Sequence, residues 1–206
     1  MIPPQKNRIF AQMKQVGIFS GSFNPVHLGH VLLAQTICRE AALDEVWLVV
    51  SPQNPLKQQA DLADEQQRLQ MTRIAVRGIQ CLKASDAEFT MPRPSYTWNT
   101  LSSLRSQHPR TRYHLIIGSD NAALFDQWRN YQDILAKFPI IVYPREGDDM
   151  QAVTARYPMM RVIQAPLLPI SSTQIRNMLR QGQDTSQWLH PRVLQYIRLH
   201  GLYLQM

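Results

Sequence analysis

Apolar positions along the chain follow two periods in turn, and the alternation predicts an α/β fold. Residues 16–19, Val-Gly-Ile-Phe, form a short unbroken apolar run, the mark of a strand covered on both faces. Residues 28–41 continue with helical spacing. Residues 46–50 read as a second buried strand. Residues 61–78 read as a helix whose apolar stripe is Leu62, Leu69, Met71, Ile74 and Ala75. Further strands are predicted at 79–84, 113–117, 139–143 and 160–164. Further helices are predicted over 96–107, in short pieces between 121 and 137, and over 172–181 and 191–200. Residues 145–150 read as a polar loop. Strands separated by helices at these intervals predict right-handed βαβ units. The expected fold is α/β: a Rossmann-like, mostly parallel sheet with helices on both faces.

Composition narrows the class. The 206 residues suit one domain spanning 1–206, with residues 1–15 as a peripheral N-terminal extension. An apolar content of 44% fits a packed core rather than a disordered chain. No apolar run approaches the roughly 20 residues of a membrane span. The first fifteen residues lack a signal-peptide core, so a cytoplasmic location and no membrane partner are expected. Cys38 and Cys81 fall in apolar segments without metal-ligand spacing and read as buried, reduced thiols. The net charge is +7, but Lys and Arg are scattered. A phosphate-rich small substrate accounts for that bias without a nucleic-acid partner.

The candidate chemistry lies at a strand-to-helix junction. Residues 21–30 read Gly-Ser-Phe-Asn-Pro-Val-His-Leu-Gly-His, directly after the first strand and into the first helix. Backbone N–H groups and the helix dipole favour a bound phosphate there. His27 and His30, three apart, share one face of the first turn. Gly21 frees the turn, and Gly29 allows a ligand close to the backbone. Ser171, Ser172 and Thr173 cap a second helix whose free N–H groups form an anion site, with Arg176 one turn in. In a parallel sheet ligands bind beyond the carboxyl ends of the strands. Residues 21–30, 51–57 and the Gly118-Ser119-Asp120 turn all fall there.

Two of these segments carry a resemblance. Residues 21–30 resemble the (T/S)-F-(N/D)-P-x-H-x-G-H signature of the nucleotidyltransferase superfamily. Ile170-Ser171-Ser172-Thr173-Gln174-Ile175-Arg176 resembles its I-S-S-T-x-x-R motif. In this order, roughly 140 residues apart, they resemble the bacterial nicotinate-nucleotide adenylyltransferases, from about Val16 to Tyr203. The resemblance implies the nucleotidyltransferase fold and transfer of the adenylyl group of ATP to nicotinate mononucleotide, giving deamido-NAD and pyrophosphate. The attacking 5′-phosphate is already an anion, so such a reaction rests on positioning and charge stabilisation.

Residue by residue, the resemblance implies catalytic roles for His27, His30, Lys57 and Arg176. His27 and His30 would face the ATP phosphates, with His30 nearest the α-phosphate, and neighbouring phosphate would raise their pKa. Gly21, Ser22 and Phe23 would line the same site. Ser171, Ser172 and Thr173 would hold the β- and γ-phosphates, with Arg176 bonding phosphate in a fork. Gly118 and Asp120 resemble an I-I-G-x-D turn that binds adenosine. Asn54 and Lys57 resemble a shortened N-x-x-P-(H/L)-K loop near the mononucleotide. Pro94-Ser95-Tyr96-Thr97 resembles a P-S-Y-T element at the nicotinate pocket, where Thr97 is a contact and Tyr96 either a contact or a packing residue. Trp128 resembles a tryptophan that stacks on the pyridine ring, a position also open to a core tryptophan. Mg²⁺ would arrive on ATP, without a protein site of its own. The alternatives are the same chemistry on nicotinamide mononucleotide or phosphopantetheine, or a non-enzymatic nucleotide- or RNA-binding regulator. Monomer and homo-oligomer both remain open.

Overall fold

Val16 and Ile18 are fully buried because β1 (Lys14–Gly21) runs through the middle of a sheet covered on both faces. The computed structural model describes residues 13–52, 62–145, 147–166 and 168–204. From β1 the chain passes through α1 (Leu28–Glu40) to β2 (Glu45–Val50), then α2 (Glu65–Val76) and β3 (Leu82–Ser85). It returns by α3 (Thr97–Gln107) to β4 (Thr111–Gly118). α4 (Ser119–Ala123), a 3-10 turn at Phe125–Gln127 and α5 (Tyr131–Lys137) lead to β5 (Ile140–Tyr143). α6 (Met150–Arg156), β6 (Arg161–Val162), α7 (Ser172–Arg180) and α8 (Pro191–Leu199) follow. The strand order is β3-β2-β1-β4-β5-β6, and every pairing is parallel.

Side chains alternate between two cores with the strand period of two. Val16 and Ile18 of β1, Val49 of β2 and Tyr113, Leu115 and Ile117 of β4 pack against α3, α5 and α6. Phe19, Val46, Leu48, Val50 and Ile116 point the other way, toward α1, α2, α7 and α8. Each Ile or Leu buried in this way contributes about 1.5–3 kcal/mol. The predicted Rossmann-like arrangement with helices on both faces is therefore present. Its order reverses at β1, which pairs with β2 on one side and β4 on the other. A crevice opens at such a reversal, beyond the carboxyl ends of the two central strands.

Several boundaries differ from the sequence reading. α2 starts at Glu65 because the Asp64 carboxylate caps the Gln66 and Gln67 N–H groups at 2.9 and 3.4 Å; Asp61 lies outside the described residues. β3 starts at Leu82 because Gly78, at φ +83°, ends the helical path. Residues 79–81 are then held as a turn by the Leu82 N–H to Ile79 carbonyl bond of 3.0 Å. β6 has only two residues. α6 was not expected: Asp149 Oδ1 accepts from the Ala152 N–H at 3.0 Å and starts a helix where the polar loop ends. Cys38 is buried, but Cys81 is only half-buried, and both are free. Burial, then the neighbouring Cys81, pushes the Cys38 thiol up to about 12. Among the described residues no helix is long and apolar enough to cross a membrane.

Candidate active site

The turn between β1 and α1 is shaped by its aromatic residues. Phe23 takes a left-handed backbone at φ +45°, unusual for a bulky residue, and folds its ring back. A Cβ on Gly21 would stand 3.0 Å from that ring. Gly21 is thus needed for space, and Phe23 makes the turn. Phe23 meets His30 edge-on, with centroids 5.1 Å apart, and the His27 and His30 rings lie 3.7 Å apart. The His27 N–H donates to His30 Nδ1 at 3.2 Å. A neutral His30 therefore carries its proton on Nε2. A Cβ on Gly29 would stand 3.0 Å from His27 Cε1 and Nδ1, so Gly29 makes room for the His27 ring.

His27 caps α1, whose first turn holds no acidic side chain. Its ring is 7% exposed, and its buried Nδ1 has no hydrogen-bond partner. Burial first, and the charge of Arg145 second, lower its pKa to about 4. The imidazole is neutral at physiological pH, beside a helix N-terminus that favours anions.

Asn24 joins this turn to the far end of the chain. Its Oδ1 accepts from the Ala63 N–H at 3.1 Å and from the Tyr203 hydroxyl at 2.7 Å. Its main-chain carbonyl accepts from Arg176 Nη1 at 2.9 Å. The Ser172 hydroxyl donates to the Pro25 carbonyl at 3.0 Å. The two sequence motifs therefore meet, and the N-terminus of α7 stands against the β1–α1 turn. Ser171 caps α7 reciprocally: its Oγ accepts from the Gln174 N–H at 3.2 Å, and Gln174 Oε1 accepts from the Ser171 N–H at 2.8 Å. Thr173 and Ser171 are exposed. Arg176 Nη2 donates to Thr173 Oγ1 at 3.4 Å, while its buried Nε is unpartnered. Two of its donors are thus held by the protein itself.

The other side of the reversal is formed by the ends of β4 and β5. Gly118 leads into α4, and Asp120 Oδ1 pairs with Arg145 Nε at 3.1 Å. Arg145 also donates to the Tyr143 hydroxyl at 3.2 Å, and its N–H to Ser119 Oγ at 2.7 Å. Ser119 in turn donates to Asp148. A Cβ on Gly118 would meet Asp120 Oδ1 and stand 2.7 Å from Arg145 Nε. Arg145 escaped the sequence reading. The signal that could have found it is its place just after a parallel strand, the same position that singled out Gly118.

At the head of α3, Tyr96 is the half-buried cap residue and Thr97 the first helical residue. The Arg129 guanidinium lies 5.1 Å from the centre of the Tyr96 ring, which gives Tyr96 a packing partner. Trp128 follows the 3-10 turn, half-buried, with its ring 5.2 Å from that of Phe125. Asn54 and Lys57 lie outside the described residues. Arg68 is 1% exposed. Arg68 donates to the carbonyls of Ser22 and Ser51 at 2.7 Å, Ala63 at 2.8 Å and Pro52 at 3.1 Å. It fastens the carboxyl ends of β1 and β2 together. Among the described residues no group of three His, Cys, Asp or Glu is placed to hold a metal ion.

The fold and this crevice define a class. Residues 18–178 match the model of the cytidylyltransferase-like family. Within it, the chain belongs to the nicotinate-nucleotide adenylyltransferase family. A probable nicotinate-nucleotide adenylyltransferase of Flavobacterium johnsoniae is 42% identical over 190 residues, covering 92% of this chain and 98% of that protein. A protein of Bacteroides fragilis with the same description is 45% identical over 183 residues, covering 89% of this chain and 90% of its own length. The Plasmodium falciparum nicotinic acid mononucleotide adenylyltransferase complexed with NaAD shares the fold, with a TM-score of 0.79 at 22% identity. That match covers 92% of this chain and 97% of the solved one.

Proposed function

We propose that the protein transfers the adenylyl group of ATP to nicotinate mononucleotide, giving deamido-NAD and pyrophosphate. The observation that carries this reading is the seam between Ser172 and Arg176 of α7 and the Asn24-Pro25 backbone. It sets two helix N-termini, of α1 and α7, side by side, so one polyphosphate can span both. The 5′-phosphate oxygen of the mononucleotide attacks the α-phosphorus of ATP. The bond from that phosphorus to the bridging oxygen breaks, and pyrophosphate leaves with the electron pair.

Within this reading His30 Nε2–H donates to the α-phosphate, and the neutral His27 gains a proton as phosphate arrives beside it. Gly21, Ser22 and Phe23 shape the phosphate turn. Ser171, Ser172 and Thr173 offer N–H and hydroxyl groups to the β- and γ-phosphates, and Arg176 supplies positive charge to the leaving group. Gly118 lets adenosine lie on the backbone while Asp120 accepts from ribose. Asn54 and Lys57 serve the mononucleotide phosphate. Tyr96, Thr97 and Trp128 form the pyridine pocket, and Arg129, poised over Tyr96, favours the carboxylate of nicotinate over the neutral amide. ATP enters as its magnesium complex, the phosphates supplying oxygens to the metal.

The test is pyrophosphate release from the pure protein with ATP and Mg²⁺, comparing nicotinate mononucleotide, nicotinamide mononucleotide and phosphopantetheine. Nicotinate mononucleotide is expected to give the highest kcat/KM. A preference for either other acceptor would overturn the substrate assignment, and no release with any would overturn the reaction.

A further inference from the structure

Glu88 is 3% exposed, lies in the turn after β3 and has no role in the reaction as proposed. Burying a carboxylate is costly unless donors occupy its oxygens. Here Oε1 accepts from Ser20 Oγ at 3.2 Å and Thr100 Oγ1 at 3.1 Å, and Oε2 accepts from Ser95 Oγ at 2.6 Å. Ser95 Oγ also lies 3.4 Å from Ser51 Oγ. A serine hydroxyl has one proton to give. That of Ser95 goes to Glu88, so Ser51 donates to Ser95. A single acceptor therefore sets the direction of every hydroxyl in the chain Ser51 to Ser95 to Glu88, and of Ser20 and Thr100 beside it.

The placement of these donors is what points beyond core packing. Ser20 immediately precedes Gly21 at the end of β1, and Ser51 follows the end of β2. Ser95 precedes Tyr96 and Thr97, and Thr100 lies in the first turn of α3. All four are on the crevice side of the sheet, where parallel strands present their ligands. Glu88 hydrogen-bonds both the strand leading into the phosphate turn, at Ser20, and the segment proposed to receive the pyridine ring, at Ser95.

We infer that Glu88 is a positioning residue for the acceptor nucleotide. It holds the Ser95-Tyr96-Thr97 segment and the head of α3 at a fixed distance from the phosphate turn, so that the bound mononucleotide presents its 5′-phosphate in line with the α-phosphorus. It touches neither substrate. The inference rests on the assignment of residues 95–97 to the acceptor. Misplacement by about 1 Å is enough to cost catalysis heavily.

Steady-state kinetics of the wild type, Glu88→Gln and Ser95→Ala test it, with thermal melts to confirm folding. A glutamine offers one acceptor oxygen and an NH2 donor, so at least one hydroxyl loses its partner. Glu88→Gln is expected to raise KM for nicotinate mononucleotide by about tenfold while KM for ATP stays within about twofold. Ser95→Ala should give the same split more weakly, and the double variant should be no worse than Glu88→Gln alone. Folded Glu88→Gln with both KM values unchanged, with both raised together, or with only a lower melting temperature would overturn the inference. If Glu88→Gln does not fold, Ser95→Ala decides by the same split, since it leaves the carboxylate two hydroxyl donors. A wild type that turns over normally beside indifferent variants refutes the positioning role alone. A wild type without turnover refutes the reaction and this role with it.

Discussion

Arg176 and Asn24 lie 152 positions apart and are joined by a 2.9 Å hydrogen bond from guanidinium Nη1 to main-chain carbonyl. The bond serves two ends at once: it docks α7 on the β1–α1 turn and holds a guanidinium there. Arg176→Ala is expected to lower kcat/KM by about a hundredfold to a thousandfold. Arg176→Lys should recover little of it, because a single ammonium cannot reach both the Asn24 carbonyl and a substrate phosphate. The pyrophosphate-release assay reads both, and a wild-type value for Arg176→Ala would remove the residue from the reaction.

Asn24→Ala keeps the carbonyl that Arg176 uses but leaves the Ala63 N–H and the Tyr203 hydroxyl without their acceptor. Two half-buried polar groups left unpaired cost about 1–3 kcal/mol together. Tyr203→Phe removes one bond and its donor at the same time, and should cost only about 1 kcal/mol. Urea unfolding of the two variants against the wild type measures the difference; equal costs would contradict the shared-acceptor geometry.

The pH dependence of stability follows from His27. Its folded value of about 4 lies below the ordinary 6.5, so on acidification the unfolded chain takes the proton first. Stability from this group is complete above pH 6.5 and is lost as the pH falls from 6.5 toward 4, by at most about 3 kcal/mol. His114, lowered to about 4 by burial and then by Arg112 and Arg161, acts in the same sense. His27→Asn should therefore flatten only part of the slope in denaturation midpoints between pH 4 and 6.5. An NMR titration of the His27 ring should show its value rising when ATP binds, and an unmoved value would argue against phosphate beside it.

Gly118→Ala would push a methyl group against Asp120 and to 2.7 Å from Arg145 Nε. Both side chains are about half exposed and can swing away, so stability should change by less than about 1 kcal/mol. The displaced pair should raise KM for ATP by about tenfold and leave that for the mononucleotide nearly alone. A rise confined to the mononucleotide would move adenosine away from this turn.

Much of the fold was legible because parallel strands buried on both faces write themselves as unbroken apolar runs, as at Val16 and Ile18 or Val49 and Val50. The β1–α1 turn and the cap of α7 were legible because glycine, histidine and capping residues have fixed local uses. What stayed hidden depends on partners distant in sequence. Arg68 sits in α2 among polar residues and reads as a solvated arginine, yet it is buried because the carbonyls of Ser22, Ser51, Pro52 and Ala63 converge on it. Glu88 reads as a loop acid for the same reason. Arg145 gains its place only when β5 is laid beside β4. α6 is seven residues long and begins on a single Asp149 bond, too short for a period to emerge.

The hydrogen bond between Tyr203 and Asn24 also has a temporal meaning. A turn begun at residue 24 stays unfinished until residue 203 has been synthesised. At about 5–20 residues per second, the nascent chain carries the β1–α1 turn without this bond for on the order of ten seconds. The turn gains this partner only after α7 and α8 have been made.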